Sequence, residues 1–180
     1  HKHKLDTPKI GVLLTNLGTP DAPTIKAVRP YLKEFLSDPR VVQPPPPRWL
    51  WLLILNGFIL NTRPKKSARA YQRVWTTHGD GSPLMDISIK QKKLVEFELD
   101  KRAPDQFVVA LGMRYGRPSI SSALQELEAE DCEKVIVLPL YPQHASSTTD
   151  STFDAVSEAI QDWQMAPELK FINSYNDNDS

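Results

Sequence analysis

Apolar and polar residues alternate along this chain in two periods. Ile10 to Thr15 is a continuous apolar run that ends in Asn16-Leu-Gly-Thr-Pro-Asp21, which reads as a buried strand and its turn. Ile25, Val28, Leu32 and Phe35 then recur at helical spacing, and Asp38-Pro39 closes that helix because a residue before proline is driven out of the helical region. Pro44 to Pro47 reads as a rigid extended lead-in to residues 49–60, which open on Trp49 and close on Leu60. A helix is predicted near 65–75, a turn over 76–83 and a second helix near 87–101. Phe107 to Leu111 is a strand leading into Gly112-Met-Arg-Tyr-Gly-Arg-Pro118, and Ile120, Ala123, Leu124 and Leu127 form one helical face. Val135 to Leu138 is a third strand, the face Phe153, Val156, Ile160, Trp163 a further helix, and Leu169 to Ile172 a last short strand.

Strands that are apolar throughout, alternating with helices, predict an α/β fold: a Rossmann-like parallel sheet flanked by helices. Residues 1–8 read as a frayed or appended tail, 9–180 as one domain, and 41–64 as an apolar lip attached to it. The strand end at 172 and the polar segment from Ser174 to Ser180 suggest a chain that continues, since a doubly wound domain usually proceeds into another helix.

The charge balance narrows the function. Lys and Arg total 22 against 22 Asp and Glu, so no basic stripe points to nucleic acid. The single cysteine, Cys132, rules out an internal disulfide framework and lies among acids that raise a thiol pKa. The apolar stretch 49–60 is too short to span a bilayer, which takes roughly 20 residues. It reads either as a lip touching a membrane or a large ligand, or as a core helix.

Chemistry gathers in loops. Leu138-Pro-Leu-Tyr-Pro-Gln-His-Ala-Ser-Ser-Thr-Thr149 follows a buried strand, where open α/β sheets bind ligands. Within it, His144 reads as a base, a metal ligand or an ordinary hydrogen-bonding residue. One of Ser146 to Thr149, or Asp150, reads as a helix cap. His78 sits in a Gly-rich turn and is a weaker candidate. The turn at Gly18 is either a phosphate cradle or merely tight, and it lacks G-x-G-x-x-G spacing. Arg114, between Gly112 and Gly116, suits a ligand carboxylate or an internal ion pair equally. No G-x-S-x-G elbow supports a serine hydrolase.

Five segments in register resemble ferrochelatases, which insert ferrous iron into a porphyrin during haem synthesis. They are Leu14-Thr-Asn-Leu-Gly-Thr-Pro-Asp21, Tyr31-Leu-Lys-Glu-Phe-Leu-Ser-Asp38, Arg63 with Tyr71 and Gly81-Ser-Pro-Leu84, Gly112-Met-Arg-Tyr115, and Leu140-Tyr-Pro-Gln143 with Ser146-Ser-Thr148. The resemblance implies a chelatase fold of two similar halves around the porphyrin, with this chain as the amino-terminal half. It implies that Leu17, Arg63, Tyr71, Ser82, Arg114, Tyr115 and Tyr141 line the porphyrin cleft, with Arg63 and Arg114 facing propionates and Leu17 and Tyr71 packing on the macrocycle. The family's catalytic histidine motif and its glutamate partner do not occur in these residues, and the resemblance places both beyond Ser180. The isolated chain is therefore expected to be inactive and to hold no catalytic or metal-ligating residue of its own. Ser146 stands where some relatives carry a cluster-ligating cysteine, so no iron–sulfur cluster is expected from this chain, and no cofactor beyond the substrate Fe2+. The resemblance implies a cytoplasmic protein, with 49–60 available for peripheral membrane contact. The rival reading is a porphyrin-binding half-chelatase without activity.

Overall fold

The computed structural model describes residues 8–39, 47–75, 81–141 and 146–172, with backbone alone for 146–150. Four parallel strands form one sheet in the order β2-β1-β3-β4. They are β1 Lys9–Thr19, β2 Phe107–Gly116, β3 Cys132–Pro139 and β4 Glu168–Phe171. The central strand β1 pairs with β2 from Ile10↔Phe107 to Thr19↔Gly116 and with β3 from Lys9↔Cys132 to Thr15↔Pro139. This is the parallel α/β sheet the apolar runs predict.

Both faces are covered, which is why the strands are apolar throughout rather than alternating. On one face Leu13, Ala110, Val135 and Val137 pack with Ile120, Ala123, Leu124 and Leu127 of α5 (Ile120–Ala129) and Val156 of α6 (Ser146–Ile160). On the other, Val12, Leu14, Val109, Leu111 and Met113 meet Met85, Ile89, Val95 and Leu99 of α4 (Pro83–Arg102). Each fully buried aliphatic chain contributes about 1.5–3 kcal/mol relative to exposure. The predicted faces of α5 and α6 hold, although Trp163 lies just beyond the end of α6, its backbone N–H donating to Ile160 O. In α1 (Ile25–Ser37) the buried residues are Val28 and Tyr31, while Ile25 is exposed.

The structure corrects several boundaries. The supposed turn at Asn16 to Thr19 is strand, and β2 likewise runs on through Arg114 and Tyr115. The glycines explain both. Gly18 has φ +118°, and a Cβ there would lie 1.8 Å from Tyr115 O; one at Gly116, φ +83°, would lie 2.6 Å from Thr19 O. They permit close strand approach, so the tight backbone at Gly18 is accounted for by its neighbour β2. The helix expected near 87–101 begins at Pro83, with Ser82 Oγ accepting from Met85 N as its cap.

The lip is helical. Helix α2 (Arg48–Ile54) passes through a π-helical turn (Leu55–Ile59) into α3 (Leu60–Val74), so the helix expected from residue 65 starts earlier. In a π turn the ladder widens to i→i+5, as in Leu60 N–H donating to Leu55 O. Side chains take up carbonyls along this stretch: Asn56 Nδ2 donates to Leu52 O, Asn61 Nδ2 to Gly57 O and Thr62 Oγ1 to Phe58 O. The lead-in at 44–46, the turn at 76–80 with His78, His144, and the side chains of Ser146 to Asp150 lie outside the described residues. So do the terminal segments 1–7 and 173–180. The expectation that the catalytic histidine and glutamate lie beyond Ser180 therefore concerns sequence outside this structure.

Candidate functional site

Parallel strands place their carboxyl ends at one edge, and seven sequence-predicted residues distribute around that edge in two groups and one outlier. The first group surrounds the end of β1. Leu17 is half-buried there. Tyr31 Oη donates to Gly18 O at 3.2 Å, and the Tyr31 and Tyr71 phenols lie close enough to influence each other. Burial pushes both phenols upward. The ring of Tyr71 meets that of Trp75 edge-on at 6.3 Å. Trp75 in turn lies over Gly81, where a Cβ would come within 3.5 Å of its ring. Next to Gly81, Ser82 is 3% exposed and spends its hydroxyl capping α4. Asn16 Nδ2 donates to Ser88 Oγ at 3.1 Å, fixing α4 against β1.

The second group joins β2, α6 and the end of α1. Arg114 Nη2 bonds Asp38 Oδ2 at 3.0 Å, and Tyr115 Oη donates to the same oxygen at 2.6 Å. Ser151 Oγ donates to it as well, at 2.8 Å, and accepts from Arg114 Nε. The guanidinium also sits 4.7 Å from the centroid of the Tyr115 ring. Of the two readings of Arg114, the internal ion pair is the one formed here. Tyr115 is 1% exposed, and its phenol is pushed up to about 12, first by burial and then by bonding to Asp38. The next residue, Thr152, places its Oγ1 3.0 Å from Tyr141 Oη, which ties Tyr141, two residues past β3, to the same helix.

Arg63 is the outlier. It is exposed on α3, eight residues and about 12 Å of helix from Tyr71. Ser82 and Tyr115 are buried, so in this conformation they offer a ligand no direct surface. The sequence reading missed Asp38, Ser151 and Tyr31. Asp38 carried a signal, the Asp-Pro helix stop, but its burial depends on partners 76 to 113 positions away.

Residues 48–59 stand beside these groups. Trp51 Nε1 donates to Leu36 O at 3.0 Å and Arg48 Nη2 to Ser37 O at 2.5 Å, which moors the lip to the end of α1. Trp49, Leu53 and Phe58 face outward and are each more than 60% exposed. Among the described residues no three His, Cys, Asp or Glu side chains gather to hold a metal, and no helix is long and apolar enough to cross a membrane.

Comparison with known proteins places the chain in a family. Residues 9–180 match the family model described as Ferrochelatase. The chain is 60% identical over 169 residues to a ferrochelatase of Hydrogenovibrio crunogenus, covering 94% of this chain and 45% of that protein. It is 55% identical to ferrochelatase 2 of Shewanella oneidensis, covering 94% and 50%, and 54% identical to a ferrochelatase of Teredinibacter turnerae, covering 95% and 46%. The chain thus spans about half the length of the curated relatives it matches.

Proposed function

The chain belongs to the ferrochelatase family, and on that premise we propose that the full-length protein inserts ferrous iron into a porphyrin, with this segment forming one wall of the cleft. The observation that carries the proposal is the family match over 9–180. The gathering of Leu17, Tyr71, Arg114, Tyr115 and Tyr141 at the carboxyl edge of the sheet supports it. A flat apolar macrocycle needs an apolar slot with few polar anchors. Leu17 and Tyr71 supply slot surface, exposed Arg63 meets a propionate, and Tyr141 closes the far side. Ser82, Arg114 and Tyr115 hold that wall in shape from behind. The base that takes the pyrrole protons, and the ligand that hands over iron, belong in this reading to the other half of the protein, beyond Ser180. The outward Trp49, Leu53 and Phe58 suit a peripheral contact with the cytoplasmic face of a membrane.

The test is a porphyrin titration of the full-length protein, read by tryptophan quenching beside an iron-insertion assay. Arg63→Ala and Tyr71→Ala each weaken porphyrin binding by about 5–30-fold, the loss of 1–2 kcal/mol of anchoring. Unchanged affinity in both would sink the cleft assignment. The isolated 180-residue chain turns over no porphyrin, and measurable insertion by it would show that the base lies within this half.

A further inference from the structure

The end of α1 makes an unusual number of long-range bonds for so short a segment. Three consecutive residues, Leu36, Ser37 and Asp38, each accept from side chains of other elements. The first two offer the carbonyls that every helix leaves unpaired at its carboxyl end, and the lip takes them through Trp51 and Arg48. Arg48 also places its positive charge at the negative end of the helix. Asp38 follows in extended geometry, φ −72° and ψ 116°, as the residue before Pro39 must. That exit turns its carboxylate inward, with a side chain only 6% exposed, onto Arg114, Tyr115 and Ser151. The ring of Phe35, one turn earlier, stands edge-on to Tyr115 at 5.2 Å.

We infer that Asp38 is a positioning residue for the porphyrin cleft, fixing the Arg114–Tyr115 wall and coupling it through the end of α1 to the lip. The inference rests on the functional reading above. Its physical basis is that one carboxylate oxygen collects three donors from two elements, β2 and α6. A guanidinium held at both Nε and Nη2 has lost most of its rotamer freedom, so the wall is set before the macrocycle arrives. The lip hangs from the two residues just before Asp38, so a displaced carboxylate shifts the lip as well.

Asp38→Ala would leave the part-buried Arg114, and the buried Tyr115 and Ser151 hydroxyls, without their shared acceptor, which risks unfolding the domain. The informative change is Asp38→Asn, which keeps an acceptor for Tyr115 and Ser151 and removes the charge. Ser151→Ala serves if that variant does not fold. In full-length protein, folded by circular dichroism, Asp38→Asn raises both the KM and the Kd for protoporphyrin about tenfold, and Ser151→Ala about threefold. The KM for ferrous iron stays within about twofold in both. Coupling is read from Trp51→Phe, which removes the bond to Leu36 O and keeps an aromatic ring in its place. Its effect on porphyrin Kd combines with that of Asp38→Asn less than multiplicatively, by at least about threefold. A purely structural ion pair would lower the melting temperature and leave both KM values in place. That result, or a parallel rise in both KM values, overturns the inference. Strictly multiplicative effects overturn the coupling to the lip. Wild-type protein that binds no porphyrin overturns the functional reading itself, whereas wild type and folded variants binding alike overturn this inference alone.

Discussion

The sheet and the lip are both rich in large apolar residues, yet they use them in opposite ways. In the sheet, Leu13, Leu14, Val135 and Val137 are fully buried between helices on two faces. In the lip, Trp49, Leu53 and Phe58 point outward, and Leu55 is the buried residue of the π turn. The difference lies in where each segment's backbone is satisfied. A strand needs neighbours on both sides and so is drawn into the core. A helix satisfies its own backbone and can stand at the rim, moored by Trp51 and Arg48 to two carbonyls. Burial in the first case is the source of stability. Exposure in the second adds little to it.

The contrast breaks most severely at Gly18. Gly18→Ala drives a methyl group into the Tyr115 carbonyl at a φ that L-residues avoid, and the loss exceeds about 4 kcal/mol. Urea denaturation should show the variant largely unfolded, and a native-like midpoint would disprove the close strand approach. Leu13→Ala, deep in the sheet, costs about 3 kcal/mol by the same measurement.

Tyr115, at the joint between sheet and α1, comes next. Tyr115→Phe removes a bond to a charged acceptor and costs about 2 kcal/mol. The native phenol holds its proton to about pH 12, whereas in the unfolded chain it ionises near 10. Its contribution is therefore complete below pH 10 and lost as pH rises to about 12. An alkaline denaturation series should show that decline shrinking in the Phe variant. The smallest effect belongs to the lip: Phe58→Ala changes stability by no more than about 0.5 kcal/mol despite removing a whole ring. A loss comparable with that of Leu13→Ala would mean that the two regions are one core.

Much of the sheet was legible because a doubly covered strand must be apolar throughout, and Ile10 to Thr15 and Val135 to Leu138 are. The strand ends were not, because Gly18 and Gly112 look like turns in sequence. In the fold they are places where something presses close; a Cβ at Gly112 would lie 2.9 Å from Ile120 Cα. Tyr71, Arg114 and Tyr141 were singled out through family resemblance, and the internal pairing of Arg114 was one of the two readings its position allowed. Asp38 was hidden, since one acid in the sequence looks like another until its distant partners meet it. The π turn was equally hidden, because residues 55–59 carry no periodicity that separates it from an ordinary helix.

The central place of β1 has a consequence in time. Its partners begin at Phe107 and Cys132, so among the described strands the first made waits longest for neighbours. Roughly a hundred residues separate Ile10 from Phe107, and at about 5–20 residues per second the ribosome takes on the order of 5–20 s to deliver them. Throughout that interval an apolar strand lies open on both edges and both faces. During synthesis, then, the future centre of the fold is an adhesive stretch of nascent chain and a natural perch for a chaperone.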